Sequence, residues 1–421
     1  MNESLISFLW MFRLFSAYVT KTGETFNVIK PGNLNVDSGP DFFDARIKIG
    51  DTLWAGNVEI HNKTSDWYKH GHQYDEAYDN IILHIVYDDD ISDNKSNHLI
   101  FEIKDKFPIE YLEKYEYLMK NKLWVPCAKL VDKKFQDKIL LDSWLERLLI
   151  EKMEQKSNYI NSVLLANNNS FEETFYQMLA RNFGFSVNAI PFEMLAKSLP
   201  LRILAKQKDN FLQIEALLFG QAGMLENDIN DIYYQQLKSE YAFLKKKFIL
   251  FPIRLHLWKF HRIRPHSFPS TRIAQFAALI HYSKSLFASL MECNTKEDIY
   301  NYFNINTSSY WLKHFVFGEE TKPRKTEFTR IMIDLLIINT IVPFMFVYAN
   351  FKDDEELKNR AFDILESIDA ESNSIVKGWK SLSFKIDNAY KSQAFIHLKN
   401  NYCNQKQCLR CRIGDKIMRN I

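Results

Sequence analysis

Residues 39–61 read GPDFFDARIKIGDTLWAGNVEIH, and this stretch decides the fold of the first part of the chain. Apolar and basic side chains alternate over residues 45–49, Gly50 and Asp51 supply a turn, and residues 52–61 lead back. Alternation of period two on both sides of a turn containing glycine is typical of a β-hairpin. The stretch therefore predicts two antiparallel strands joined by a tight turn.

The segments around this hairpin predict a small mixed sheet with helices. Apolar residues recur at helical spacing over residues 3–18, and a further helix is expected over residues 65–78. Additional strands are expected at residues 26–29, 80–87 and 99–103. After residue 111 the strand patterns stop and helical patterns follow one another. We expect an α+β fold, with a small mixed β-sheet domain and flanking helices over residues 1–110 and a large all-helical domain over residues 111–421.

The charge is unevenly distributed along the 421 residues, although the net charge is only +2. Residues 1–120 carry 12 basic and 20 acidic side chains, whereas the rest of the chain carries 42 and 32. A basic region beside an acidic one fits a protein that holds a polyanion with one part and a metal ion with the other. The alternative is an ordinary asymmetry of helical surfaces.

The apolar segments do not predict a leader peptide or a membrane span. Residues 5–15 are interrupted by Arg13, and no small-residue cleavage site follows them. Residues 331–349 contain Asp334 and Pro343, which favours a buried helix. Five cysteines, an odd number, do not suggest a disulfide framework. We expect a cytoplasmic protein with no membrane partner.

Glu59 and His61 lie two residues apart on the returning strand of the hairpin, so both side chains leave the same face. Placing a carboxylate and an imidazole there is costly unless they are paired or bind an ion. Asp41 stands just before the other strand, where strict alternation requires a bulge or an irregular strand start. Two carboxylates at this end of the sheet suit Mg²⁺ or Mn²⁺. We therefore expect Asp41 and Glu59 to bind Mg or Mn.

The order of these residues resembles the PD-(D/E)xK nuclease superfamily. Asp41 follows a proline, the motif Glu-Ile-His at residues 59–61 ends the next strand, and Glu3 lies on the preceding helix where many members place a glutamate. His61 stands where the superfamily has lysine. The resemblance covers residues 1 to about 105. It implies a PD-(D/E)xK-like fold and metal-dependent cleavage of phosphodiester bonds, with His61 as a base or a metal ligand.

A closer resemblance covers nearly the whole chain. The motifs that carry it are PG-x-LN at residues 31–35, GPDF at 39–42, W-x-G-x-VEIH at 54–61, SDW-x-x-H at 65–70 and R-x-RP-x-x-FP at 262–269. They look like an uncharacterised bacterial family that is catalogued as a domain of unknown function. This resemblance implies no established activity.

Asp66 and His70 form a second candidate pair after the hairpin. They are four residues apart on the expected helix, so they face the same way and could orient the candidate catalytic residue His61. The alternative is that Asp66 only caps the helix. His70 and His72 are too close to share one helix face, so at most one of them should point inward. His84, within an apolar strand, is expected to be a core histidine.

Three of the five cysteines crowd the end of the chain. Cys403, Cys408 and Cys411 are spaced C-x4-C-x2-C, and Cys127 could supply a fourth thiolate. Four thiolates suit Zn²⁺ or an iron–sulfur cluster, so we expect a metal site at these residues. The alternative is a set of structural thiols without a metal.

Basic and aromatic residues are interleaved over residues 254–272. Lys259, Arg262, Arg264 and Arg272 are the candidates for substrate binding, because such a mixture suits phosphate contacts and base stacking. The expected partner is nucleic acid. The alternative is a loop whose arginines pair with the acidic first domain.

Together these features favour a metal-dependent, nuclease-like phosphodiesterase that acts on nucleic acid. The candidate catalytic residues are Glu3, Asp41, Glu59, His61, Asp66 and His70. One alternative is a non-catalytic nucleic-acid or protein-binding module on a degenerate nuclease fold. Another is a metal-dependent hydrolase of a small substrate. The sequence leaves open whether the protein is catalytically active, which nucleic acid it takes, and its oligomeric state.

Overall fold

The computed structural model describes residues 1–91, 98–131 and 138–420, and it confirms the predicted α+β class. The chain divides into two compact units. The first consists of Met1–Trp144, Ser381–Phe384 and Leu398–Ile421, and the second consists of Leu145–Lys380 and Lys385–His397. The sheet and the last three cysteines therefore belong to the same unit.

Six strands form one curled mixed sheet in the first unit. They are β1 (Phe26–Lys30), β2 (Asn33–Leu34), β3 (Phe42–Ile49), β4 (Thr52–Lys63), β5 (Ile81–Asp88) and β6 (Leu99–Glu102). The order across the sheet is β1-β3-β4-β5-β6, and β2 pairs with β3. The pairs of β3 with β1, β2 and β4 are antiparallel, whereas β5 is parallel to both β4 and β6. Its interior position explains why β5 begins with six buried residues.

The predicted hairpin is formed by β3 and β4, with Ile47 opposite Trp54. The register shifts between Phe42 and Ala45, which confirms the irregular strand start expected next to Asp41. A register shift bends the bulged strand locally and changes the direction of the neighbouring side chains. Asp41 therefore lies just before β3, outside the regular alternation of that strand's side chains.

Gly56 allows β4 to lie close to the chain that leads into β5. A Cβ atom at this position would be 2.5 Å from Cγ2 of Ile82 and 2.6 Å from the carbonyl oxygen of Asn80. Every other residue type would clash there. The parallel pairing that follows places Glu59 beside His84.

Helix α1 (Glu3–Met11) precedes the sheet. The side chain of Asn2 caps it by accepting a hydrogen bond from the N–H of Ser4. The prediction of a helix as far as residue 18 was wrong, because the helix ends at Met11 and Arg13 adopts a left-handed φ of 55°. Glu3 lies in the first turn of this helix.

The remaining helices of the first unit are short, apart from one that continues into the second unit. They are α2 (Asp66–Lys69), α3 (Ile109–Lys120), α18 (Arg412–Arg419) and the beginning of α4 (Lys138–Ala166).

Helices dominate the described part of the second unit. After α4 they are α5 (Phe171–Phe183), α6 (Phe185–Ser198), α7 (Leu201–Ala205), α8 (Phe211–Gln221), α9 (Ile232–Phe248), α10 (Pro269–Tyr282), α11 (Leu286–Met291), α12 (Lys296–Tyr302), α13 (Arg330–Leu336), α14 (Val342–Lys352), α15 (Glu355–Ser367), α16 (Ser374–Ser381) and α17 (Ala389–His397). A π-helical turn (Ile337–Ile341) joins α13 to α14. The combined stretch Arg330–Lys352 is long and apolar enough to cross a membrane, by length and composition only, and 72% of its most apolar window is buried.

Candidate functional site

Gly71 brings two histidines to the same place. The prediction of one helix over residues 65–78 was wrong. Helix α2 ends two residues before Gly71, and Gly71 has a left-handed φ of 76°. A residue in this conformation cannot continue an α-helix. The chain turns there, and His72 begins a separate 3₁₀ turn. The rings of His70 and His72 both contact His61, although His70 is exposed and His72 is half-buried.

His61, His70 and His72 form a histidine trio, whose ligand nitrogens all lie within 4.8 Å of one another. Nε2 of His61 is 3.1 Å from Nδ1 of His70. For comparison, nitrogen ligands of a tetrahedral zinc ion are about 3.4 Å apart. In the described ranges, no other three metal-ligating side chains meet this 4.8 Å limit. His61 is buried and His70 is exposed, so the trio reaches from the core to the surface.

Glu59 lies between the histidine trio and Asp41. Its Oε1 is 3.6 Å from Nε2 of His61 and 3.5 Å from Nε2 of His72. Its Oε2 accepts a hydrogen bond of 3.1 Å from the N–H of Asp41. In return, Oδ2 of Asp41 accepts a hydrogen bond of 2.9 Å from the N–H of Ile60. Each carboxylate therefore fixes the main chain that carries the other, across the irregular start of β3.

Burial disfavours the ionised form of the carboxyl groups of Asp41 and Glu59. It raises the pKa of Glu59 to about 8, together with the charge of Asp41. It raises the pKa of Asp41 to about 6, where the N–H of Ile60 opposes the shift and the charge of Glu3 adds to it. Glu3, exposed on α1, also raises the pKa of Glu59. A bound cation would relieve this mutual repulsion among the three predicted acidic residues.

The buried histidines are held in their neutral form, which is the form that binds metal ions. Burial lowers the pKa of His61 to about 3, and the charges of His72 and His70 add to that effect. Nδ1 of His61 is 2.9 Å from Nε2 of His84, which is fully buried in β5. When the proton of the hydrogen bond between His61 and His84 lies on Nδ1 of His61, Nε2 of His61 is unprotonated. Its lone pair then faces the other two histidines of the trio. The core histidine expected at His84 thus lies directly behind the site.

Nε2 of His72 is buried and makes no hydrogen bond, although it is 3.5 Å from Glu59. Leaving a buried polar atom without a partner costs about 1–3 kcal/mol, unless an ion fills the position. The ring of Tyr78 lies 3.9 Å from that of His72, centroid to centroid. The sequence interpretation did not include His72 or Tyr78 among the candidate site residues. The signal that could have found His72 is Gly71, which separates the two histidines and favours a turn over a helix.

Asp66 is hydrogen-bonded to the end of β4 and to the end of α2. Its Oδ2 accepts a hydrogen bond of 3.1 Å from the N–H of Lys63, and its Oδ1 is 2.6 Å from Nζ of Lys69. Neither donor is an N–H group of the first turn of α2, so these contacts are not those of a helix cap. The negative charge of Asp66 nevertheless raises the pKa of His61, against the larger effect of burial.

The four cysteines expected to bind a metal line one small cavity of about 10 Å³ in the first unit. Its wall consists of Pro126, Cys127, Tyr402, Cys403, Gln407, Cys408, Cys411 and Gly414. All of these cysteines are free thiols. The fifth, Cys293, belongs to the second unit. The fold thus brings Cys127 to three residues near the other end of the chain.

The basic stretch of the second unit is only partly gathered into one place. Arg264 and Arg272 line a cavity of about 780 Å³. Arg262 is exposed with a left-handed φ of 60°, and the main chain of Lys259 is hydrogen-bonded to the side chain of Asn188.

Two further basic residues, Arg324 and Lys325, line the same cavity. The guanidinium of Arg272 lies 4.9 Å from the ring centroid of Phe185, and that of Arg324 lies 4.1 Å from that of Phe315. Their hydrogen-bond partners are uncharged: Gln275 and Met332 for Arg272, and Thr271 and the carbonyl of His314 for Arg324. The sequence interpretation missed Arg324 and Lys325, which lie in the basic run KPRK at residues 322–325.

Comparison with known proteins gives one family and no characterised relative. A family model described as "Protein of unknown function (DUF2851)" matches residues 3–374. The match includes the acidic residues, the histidine trio and the basic cavity, and it ends before the last three cysteines. No curated protein and no solved structure matches the chain.

Proposed function

We propose that this chain, which belongs to the DUF2851 family of proteins of unknown function, is a metal-dependent phosphodiesterase that acts on nucleic acid. The metal ligands would be the histidine trio, with Glu59 beside them. Asp41 and Glu3 would complete the acidic side of the site.

One observation carries this proposal: the ligand nitrogens of His61, His70 and His72 all lie within 4.8 Å of one another, and Oε1 of Glu59 lies 3.6 and 3.5 Å from those of His61 and His72. The separation of 3.1 Å between His61 and His70 is close to an edge of a tetrahedral coordination shell, about 3.4 Å, and three imidazoles would leave the fourth position of such a shell open. Three imidazoles and one carboxylate favour a transition metal such as Mn²⁺ or Zn²⁺ over Mg²⁺. Of the two ions expected from the sequence, the donor set therefore supports Mn²⁺.

The residues around this position would have different roles in hydrolysis. A divalent cation held there would polarise a phosphoryl oxygen and lower the pKa of a water molecule. Asp41 would accept the proton of the attacking water, because its carboxyl group is fixed by the Ile60 N–H and has a pKa of about 6. His61, with a pKa of about 3, is a weak base and serves better as a ligand. His84 would hold the ring of His61 in place.

The second unit supports a polyanionic substrate. The cavity lined by Arg264, Arg272, Arg324 and Lys325 has the volume of an ordinary ligand pocket. Guanidinium groups that stack on aromatic rings and bond only uncharged partners remain able to bind phosphate. This combination of cationic and aromatic groups is suited to nucleic acid.

A second candidate function is hydrolysis of a small phosphate or amide substrate at the same metal position. The observation that favours it is burial: Glu59 and His61 are only 5% and 2% exposed. An enclosed site admits a small molecule more readily than a folded polymer. The two candidates share the metal ligands and differ in the substrate.

Isothermal titration of metal-free protein with Mn²⁺, Zn²⁺ and Mg²⁺ tests the metal site. We expect Glu59→Gln and His72→Ala to lose at least tenfold in Mn²⁺ affinity, whereas Glu76→Gln, at an exposed residue of the same loop, should bind as the wild type does. Labelled DNA and RNA oligonucleotides then test cleavage. Absence of metal binding would refute both functions, and metal binding without any cleavage of nucleic acid would leave the small-substrate function.

A further inference from the structure

The four cysteines of the small cavity come from two distant parts of the chain and play no role in the proposed function. Cys127 follows α3, whereas Cys403, Cys408 and Cys411 lie within the last residues of the first unit. All four are present as thiols around the same cavity, although no three of their sulfur atoms lie within 4.8 Å of one another. Thiols are common in cores, but four that share one cavity form a complete set of soft ligands.

Gly414 lets the start of α18 lie close to the main chain of Cys408. Cys411 occupies the N-terminal cap position of α18, where its side chain makes no capping hydrogen bond. A Cβ atom at Gly414 would lie 2.0 Å from the carbonyl oxygen of Cys408, so only glycine allows the helix to approach the loop.

The cavity is too small for a substrate. Its volume of about 10 Å³ corresponds to roughly one water molecule. Zinc sites that act in catalysis keep a ligand position open, whereas structural sites are closed by protein ligands. A closed set of four cysteines therefore indicates a structural centre.

We propose that Cys127, Cys403, Cys408 and Cys411 bind one resident thiophilic metal centre, either a zinc ion or an iron–sulfur cluster, which ties the end of the chain to the segment after α3. Its contribution is to folding and not to hydrolysis. Since the metal binds a site that exists only in the folded unit, its binding free energy adds to the stability of that unit.

Metal and sulfide analysis of the full chain, purified without oxygen or chelators, identifies the centre. Zinc at about one equivalent per chain beyond that of the histidine trio, or iron with matching acid-labile sulfide, is the expected result. The double variant Cys408→Ser/Cys411→Ser should lose that equivalent. Cys293→Ser, in the second unit, should retain it.

Cobalt replacement distinguishes this centre from the histidine trio and keeps the test informative if the double variant does not fold. In wild-type protein a zinc-type site should show thiolate-to-cobalt charge-transfer absorption, which imidazole and carboxylate ligands do not produce. Glu59→Gln should leave this absorption unchanged. The proposal is overturned if neither zinc nor iron is retained and no such absorption appears, or if the four cysteines prove to be paired as disulfides.

Discussion

At the scale of single residues, the candidate site depends on the conformation of Gly71 and on the exchange of hydrogen bonds between Asp41 and Glu59. Gly71 separates two histidines that an uninterrupted helix would direct to different sides. Nothing lies within 4 Å of a Cβ built at Gly71, so the requirement for glycine comes from its left-handed φ and not from crowding. The position of His72 in the trio thus depends on one backbone dihedral.

Gly71→Ala should therefore lower both stability and metal affinity. Holding alanine at a left-handed φ costs about 1–2 kcal/mol, and relaxation of the loop would move His72 away from Glu59. Gly23→Ala is the matched control, because Gly23 also has a positive φ and an open surrounding. Thermal unfolding should show a similar loss for both variants. Titration with Mn²⁺ should show weaker binding for Gly71→Ala alone, and equal affinity of the two variants would contradict the role given to this turn.

At the scale of secondary-structure elements, packing places polar groups where no local pattern shows them. Glu215 of α8 is buried, and both of its carboxylate oxygens accept hydrogen bonds, one from the hydroxyl of Ser308 at 2.8 Å and one from the hydroxyl of Tyr233 in α9. Burial raises its pKa to about 7, although these hydrogen bonds oppose the shift. Glu215 is therefore a titrating group inside the helical unit.

The stability of the protein should depend on pH through Glu215. Because its pKa is raised on folding, the folded state binds the proton more tightly, and the contribution of Glu215 to stability is greatest below about pH 4.5 and is lost as the pH rises through about 7. Glu215→Gln should reduce the pH dependence by an amount on the order of 3 kcal/mol between pH 5 and pH 8, and the part due to Asp41 and Glu59, whose pKa values are also raised, should remain. Urea unfolding at the two pH values measures it, with Glu172→Gln, an exposed residue, as the control. A pH dependence equal to that of the wild type would show that Glu215 is not the group responsible.

At the scale of the whole molecule, opposite charges are concentrated in different parts of the chain. The acidic site lies in the first unit, and the cavity with Arg264, Arg272, Arg324 and Lys325 lies in the second. A polyanion is attracted to such a cationic cavity over a distance of about 10 Å at ordinary ionic strength. Binding of nucleic acid and hydrolysis should therefore respond separately to mutation.

Arg264→Ala combined with Lys325→Ala should weaken binding of a single-stranded oligonucleotide by about tenfold and reduce its salt dependence by roughly one unit of slope per lost phosphate contact. Both residues are exposed, so the fold should be retained. Lys246→Ala combined with Lys247→Ala removes two exposed charges from α9 and serves as the control. Fluorescence anisotropy at several salt concentrations measures the slopes. Equal slopes for the two double variants would exclude the cavity as the binding surface.

The sequence by itself determined the elements whose signals are local. Alternation and a Gly-Asp turn are sufficient to predict the pair β3 and β4, and the apolar run over residues 81–86, in which His84 is the one polar residue, predicts an interior strand. Spacing along β4 also places Glu59 and His61 on one face, since side chains of a strand alternate. These predictions depend on neighbours within a few residues.

Only the tertiary structure decided which side chains meet. His70 and His72 reach His61 because Gly71, with its left-handed φ, turns the chain. Periodicity alone predicts that the helix continues through this residue. The approach of Cys127 to the cysteines at the end of the chain, and that of Arg324 to Arg272, depend on the packing of segments that are far apart in sequence. Such contacts follow from the burial of whole elements against one another, which no local pattern contains.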